Sequence, residues 1–122
     1  MPHYTISQQF FFDAAHTLRR QIEAEASRRV HGHTYHAELF VTGEPDSSTG
    51  MVQDLGHIRL AIEKIRAQLD HHMLDEVPGL GIPTLENLCA YIAREATAVG
   101  IVCSKVKVWR TGMGDACVLR LS

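Results

Sequence analysis

Two histidines, His31 and His33, flank a glycine at the head of a segment that alternates apolar and polar residues. In a β-strand, side chains two positions apart leave the same face, so both imidazoles can converge on one point. Gly32 is expected to leave room between them. His16 closes an earlier apolar segment at Asp13-Ala-Ala-His16. If the two segments pair antiparallel, His16 lies at the same end of the sheet as His31 and His33. Three neutral imidazoles with an open fourth position make the ligand set of a catalytic zinc site. Imidazole also suits copper, iron and nickel. Chance is the competing account, because eight histidines fall in 122 residues. Paired cysteines at zinc-finger spacing are absent from the sequence, which disfavours a structural zinc.

Asp70-His71-His72 follows a helical pattern. A neighbouring aspartate can orient an imidazole, hold its tautomer and raise its basicity. A polar helix C-terminus, where histidine meets the dipole favourably, is the plainer account. Glu86 falls in the first turn of a second helix, a position that acidic residues favour on dipole grounds alone. Arg19, Arg20, Arg28 and Arg29 would suit a phosphorylated or acidic ligand, and would equally suit a solvated loop. Gly112-Met-Gly114 lacks the third glycine and the following helix of a dinucleotide fingerprint. His3 and His57 read as surface residues, and His36 as facing solvent or a partner strand.

The elements that must position these groups follow from periodicity. Residues 3–13 read as a strand, with Tyr4, Ile6 and Phe10 at even spacing. Residues 14–30 read as a loop. Residues 31–43 form a second strand, with Tyr35, Ala37, Leu39 and Val41 on one face and His36, Glu38 and Phe40 on the other. Asp54 caps a helix whose apolar stripe is Leu55, Ile58, Ile62, Ile65 and Leu69. Pro83 and Thr84 open a second helix, with Leu85, Leu88, Cys89, Ile92, Ala96 and Val99 as its stripe and Gly100 as its C-terminal cap. Residues 101–110 and 116–121 read as strands around a turn at 111–115. The order is ββααββ, an α+β chain in which two helices cover one face of a four-stranded antiparallel sheet. Two open edges and an apolar opposite face point to assembly, with sheets joining into a closed barrel.

Composition sets the outer limits. The chain of 122 residues is expected to be one domain, 1–122, with 45% apolar and 21% charged residues. Twelve basic against fourteen acidic residues argue against a general nucleic-acid binder. No apolar run approaches the ~20 residues of a membrane helix. The start, Met-Pro-His-Tyr, has no basic region followed by an apolar core, so no secretion signal is expected. Cys89, Cys103 and Cys117 are odd in number and read as buried thiols in a reducing cytoplasm.

Taken together, seven segments resemble the 6-pyruvoyltetrahydropterin synthase family, which includes the 6-carboxytetrahydropterin synthase of the queuosine pathway. They are Phe12-Asp-Ala-Ala-His16, Val30-His-Gly-His33, Thr42-Gly-Glu44, Thr49-Gly-Met-Val-Gln-Asp54, Leu69-Asp-His-His72-Met-Leu-Asp75, Pro78-Gly-Leu80 and Pro83-Thr-Leu-Glu-Asn87. The resemblance runs from about residue 8 to the C-terminus. It implies the tunnelling fold, with subunits joined into a barrel and two trimers stacked as a homohexamer. It implies zinc on His16, His31 and His33, and an active site between subunits that Asp70 and His71 of a neighbour complete. It implies a small-molecule substrate, a dihydropterin, whose side chain is held by zinc while an acid–base set eliminates triphosphate or a carbon fragment. The expected substrate-binding set is Arg110, Thr84, Glu86 and Arg29.

Two positions depart from the family pattern. The family's catalytic cysteine lies four residues before His-Gly-His, where this chain has Ser27. A serine hydroxyl is a far weaker acid than a thiol. Glu25 or Glu23 could stand in, as a glutamate does in some members. The family's pterin-gripping glutamate precedes a threonine in the third strand, where this chain reads Val108-Trp109-Arg110-Thr111. Arginine only donates hydrogen bonds and favours a carboxylate, a phosphate or a carbonyl edge. The expected function is therefore a zinc-dependent lyase or synthase acting on a dihydropterin side chain or a related heterocycle. The alternatives are a diverged member that takes a non-pterin acidic ligand through Arg110, and a metal-loaded binding protein without turnover.

Overall fold

The computed structural model describes residues 2–17 and 31–122. Strand β1 spans Tyr4–His16 and β2 spans His31–Gly43. Helix α1 covers Leu55–Leu69 and α2 covers Leu85–Ala98, with a 3₁₀ turn at Leu74–Glu76 between them. Strands β3, Lys105–Arg110, and β4, Ala116–Arg120, complete the ββααββ order. The four strands form one antiparallel sheet in the order β1-β2-β3-β4, so β1 and β4 are its two edges.

Alternation along the strands decides which face is buried. Phe10, Phe12, Ala14 and His16 of β1 share a face with Tyr35, Ala37, Leu39 and Val41 of β2 and with Val106 and Val108 of β3, and all are buried. Against them pack Ile58, Ala61, Ile62, Ile65 and Leu69 of α1, and Leu88, Cys89, Ile92 and Ala96 of α2. Phe12 stacks on Tyr35 at 5.2 Å, one pair before the histidines begin.

Both helix starts are capped as the sequence predicts. Asp54 accepts from the Gly56 amide, and the Thr84 hydroxyl accepts from the Asn87 amide at 3.1 Å. Gly100 adopts φ 91°, the left-handed turn that a side chain resists.

Several boundaries differ from the sequence reading. Strand β1 runs three residues past 13, because Ala14, Ala15 and His16 keep pairing with His33, Gly32 and His31. Strand β3 starts at 105 and not at 101: the Ile101 amide donates to the Ala96 carbonyl to close α2, which removes it from the ladder. Strand β4 stops at 120. Leu55 and Val99 sit at the two ends of their helices and are exposed, while Ala61, Tyr91 and Ala93 fill the stripes instead.

The opposite sheet face is mixed in character. Phe11 is exposed, and Phe40 and Trp109 are half-buried. Lys105 lies 4.2 Å from the Phe40 ring centroid, Lys107 lies 5.0 Å from Trp109, and Arg66 lies 5.3 Å from Phe11. His36 stacks on Trp109 and shares a hydrogen bond with the Thr111 hydroxyl, so it belongs to this face.

Candidate metal centre and adjoining cavity

The pairing register builds the histidine cluster. His16 faces His31 across the β1–β2 ladder, and Ala14 faces His33, so three imidazoles leave the helix-covered face at one end of the sheet. Their ring centroids stand 4.5 to 4.9 Å apart, and one nitrogen from each lies within 4.8 Å of the others. Gly32 points to the other face. A Cβ there would meet only the Ala14 carbonyl oxygen at 3.7 Å, an ordinary contact, so Gly32 is not what makes room for the rings.

The surroundings fit a cation. The His16 Nδ1–H donates to the Pro83 carbonyl at 3.2 Å, and the Tyr35 hydroxyl lies at the same distance. That leaves a lone pair on His16 Nε2, aimed at His31 Nε2 only 3.0 Å away. A ring N–H held by a backbone carbonyl is the usual orienting contact of a metal-bound histidine. Burial lowers the pKa of His16 below its ordinary value of 6.5. His33 is pushed down to about 4, first by burial and then by the Arg110 guanidinium. Both rings are therefore neutral near pH 7, the form that ligates metals.

Beside the cluster opens a cavity of about 820 Å³, lined by His16, Thr17, Tyr35, Asp75, Thr84, Glu86 and Arg110 among others. The Asp75 carboxylate accepts from both the amide and the hydroxyl of Thr17, at 3.0 and 2.7 Å. Burial alone would raise its pKa, but the Thr17 bonds outweigh that and hold it low. Tyr35 is driven up to about 12 by burial and stays a neutral phenol. Arg110 is buried, and its Nη2 donates to the Asp115 carboxylate.

Thus Thr84, Glu86 and Arg110 line one cavity with His16. Asp70 and His71 are elsewhere. His71 lies in a shallower concavity with Asp13, Gly32, His33 and Thr34. Its backbone takes φ 59°, and its amide donates to the Asp13 carbonyl at 2.7 Å. Asp70 accepts from the Asp13 amide, the His71 Nδ1–H and Arg66, at 2.9, 2.9 and 3.3 Å. The Asp13 amide bond, then the His71 contact and the Arg66 charge, keep its pKa below the usual carboxylate range. The His71 side chain is 80% exposed, so its remaining nitrogen is presented outward.

Ser27, Glu25, Glu23 and the arginines at 19, 20, 28 and 29 lie outside the described residues. No cysteine takes the place of the family's thiol. Cys89 and Cys103 are buried in the core, which drives their thiols up to about 12 and 11. The Cys89 thiol is turned toward the carbonyls of Val106 and Cys117.

The sequence reading did not single out Tyr35, Asp75, Thr17, Asp115 or the Pro83 carbonyl as site residues. Tyr35 was findable, since it follows His33 on the same strand face. The Thr17–Asp75 bond depends on tertiary structure, and the Arg110–Asp115 pair on how the turn at 111–115, expected from the sequence, folds its last side chain back onto β3.

Residues 5–120 match the 6-pyruvoyl tetrahydropterin synthase family. The 6-carboxy-5,6,7,8-tetrahydropterin synthase of Synechocystis is 31% identical, with 80% of this chain and 78% of that protein aligned. The human 6-pyruvoyl tetrahydrobiopterin synthase is 32% identical over 87% of this chain and 84% of its own length. The Caenorhabditis elegans 6-pyruvoyl tetrahydropterin synthase structure superposes with a TM-score of 0.84 at 25% identity, covering 100% of this chain and 98% of that one. Fold and sequence agree, and the chain belongs to the 6-pyruvoyl tetrahydropterin synthase family of pterin side-chain-processing enzymes.

Proposed function

We propose that the chain is a zinc-dependent lyase that acts on the side chain of a dihydropterin of the dihydroneopterin triphosphate type, or of a closely related heterocycle. The observation that carries this reading is the compact His16–His31–His33 cluster at the edge of a cavity large enough for a bicyclic ring. In the proposal the three histidines hold Zn²⁺. When bound, zinc supplies a Lewis acid that polarises substrate oxygens. Thr84, Glu86 and Arg110 bind the ligand from the cavity wall, with Arg29 as a further contact.

His71 is the proposed general base. Its Nδ1–H is held by Asp70, so Nε2 carries the lone pair, and Asp70 stabilises the imidazolium after proton uptake. Its outward presentation suits work on a neighbour's cavity in a homohexamer, a dimer of trimers. The open β1 and β4 edges give each protomer two surfaces for that assembly. Ser27 and Glu25 are proposed to handle the second proton. The proposal treats residues 1–122 as a single domain working in the cytoplasm. No described helix is long and apolar enough to cross a membrane, and the net charge of −2 gives no reason to invoke nucleic acid.

The test is turnover of 7,8-dihydroneopterin triphosphate and dihydroneopterin by the zinc-loaded protein, with products read by mass. His71→Ala is expected to lose turnover and keep its zinc. Unchanged turnover in that variant would remove His71 from the mechanism. Binding of either pteridine without any conversion would leave a metal-loaded binding protein in place of the enzyme.

A further inference from the structure

One wall of the cavity is a buried cation. Arg110, the last residue of β3, is 9% exposed and lines the cavity with His16, Tyr35 and Thr84. Its guanidinium has five N–H donors and no acceptor. Nη2 donates to the Asp115 carboxylate, which the turn at 111–115 folds back while the Asp115 carbonyl takes the Arg110 amide. Nε is buried and has no hydrogen-bond partner among the described residues. Nη1 lies 3.3 Å from His33 Nε2.

That last contact is incompatible with a metal on His33. A neutral imidazole has one acceptor nitrogen, and the other carries the proton. If Nε2 ligates the ion, its lone pair is taken. If Nδ1 ligates it, Nε2 bears the hydrogen and cannot accept. Either way, metal loading removes the acceptor of Arg110 Nη1. The guanidinium, only 9% exposed, then keeps the Asp115 carboxylate and the neighbouring Tyr35 hydroxyl as acceptors, while Nη1 has lost its imidazole and the buried Nε has no partner among the described residues. A buried donor left unmet is destabilising, and a hydrogen bond to a charged group is among the stronger kind.

We infer that Arg110 is a specificity-determining residue of the metal-loaded cavity, selecting ligands that set an oxygen acceptor against it and rejecting those that set an N–H there. The inference rests on the pteridine reading above and adds to it the chemistry of the group that meets this wall. Asp115 already balances the charge, so the acceptor need not be an anion. Pterin already carries a carbonyl at C4, so the acceptor lies where pterin offers none: a second ring carbonyl or a carboxylate, which share the required chemistry.

Three fluorescent probes separate these sources. Lumazine differs from pterin by a carbonyl in place of the 2-amino group, and pterin-6-carboxylate differs from pterin by an added carboxylate. Zinc-loaded wild-type protein is expected to bind one of the two at least roughly tenfold more tightly than pterin. Lumazine as the tighter ligand identifies a ring carbonyl, and pterin-6-carboxylate a carboxylate. Arg110→Gln, checked for zinc content, is expected to bring the preferred ligand level with pterin. The wild-type comparison stands even if that variant folds poorly. Pterin binding as tightly as both analogues, or a preference that survives in Arg110→Gln, overturns the inference and leaves the pteridine reading standing. Binding of none of the three overturns the pteridine reading, and this inference with it.

Discussion

At the scale of single residues, the site is governed by what burial does to imidazoles. His33 has a pKa of about 4 in the folded chain against 6.5 when free, and His16 is shifted in the same direction. Between those values the unfolded chain binds protons that the folded chain refuses, so stability rises with pH across that window. The metal-free protein should therefore melt progressively lower as the pH falls from 6.5 toward 4. The low carboxylate pKa values of Asp70 and Asp75 act with the same sign, but below their ordinary 3.8, so the two effects are separable. Thermal melts of chelator-treated protein at several pH values check this. In His33→Ala the slope should shrink, and zinc binding measured by metal analysis should be lost. A melting temperature that is flat across the window would show that the histidines are not held neutral by burial.

At the scale of elements, periodicity and capping chemistry decide how much the sequence reveals. Strand β2 is legible to the residue because its alternation is unbroken from His31 to Gly43. Both helices are legible because Asp54 and Thr84 mark their starts. The same signals place His31 and His33 on one face and His16 at the matching end. Legibility fails where tertiary structure overrides local pattern. The β1 extension through Ala14 and Ala15 rests on pairing with β2. The 3₁₀ turn at Leu74–Glu76 lies near β1, where Met73 bridges Ala15 and Asp75 holds Thr17. No spacing rule predicts either, and Asp75 was missed as a site residue for that reason. The α2 cap matters for the site as well as for the helix, since Thr84 lines the cavity and the Pro83 carbonyl before it orients His16. Thr84→Ala should cost about 1 kcal/mol, lowering the melting temperature by a few degrees. Thr84→Ser keeps the accepting oxygen and should recover most of that loss. Melts of the three proteins at one concentration test it, and an unchanged Thr84→Ala would mean the Asn87 amide finds water as good a partner.

At the scale of the whole molecule, His71 and the cleft that holds His16, Thr84, Glu86 and Arg110 are set apart, and His33 borders the concavity where His71 lies. His16 and Arg110 share the larger cleft, while His71 is oriented by Asp70 and turned outward. If His71 is the proposed base, its hold on Asp70 and its exposure to solvent make sense when a neighbouring protomer supplies the cleft it serves. The sheet margins supply the means: β4 and the first half of β1 lie at its two edges, where a neighbouring strand can pair, whereas β1 from Phe11 onward is already bonded to Arg66 and the 70–73 turn. Such an arrangement makes a specific demand on mixed assemblies. On the proposed reading, His33→Ala keeps the base and loses the metal site, and His71→Ala keeps the metal and loses the base. Each alone should be inactive as a homo-oligomer. Unfolded together, refolded and loaded with zinc, the two should regain part of the wild-type turnover, because some cavities then pair an intact cluster from one chain with an intact His71 from another. Activity should rise with the proportion of mixed species seen by native mass spectrometry. If mixed oligomers form and stay inactive, His71 serves the cavity of its own chain, and closing that distance would require a rearrangement of the 70–73 turn against β1.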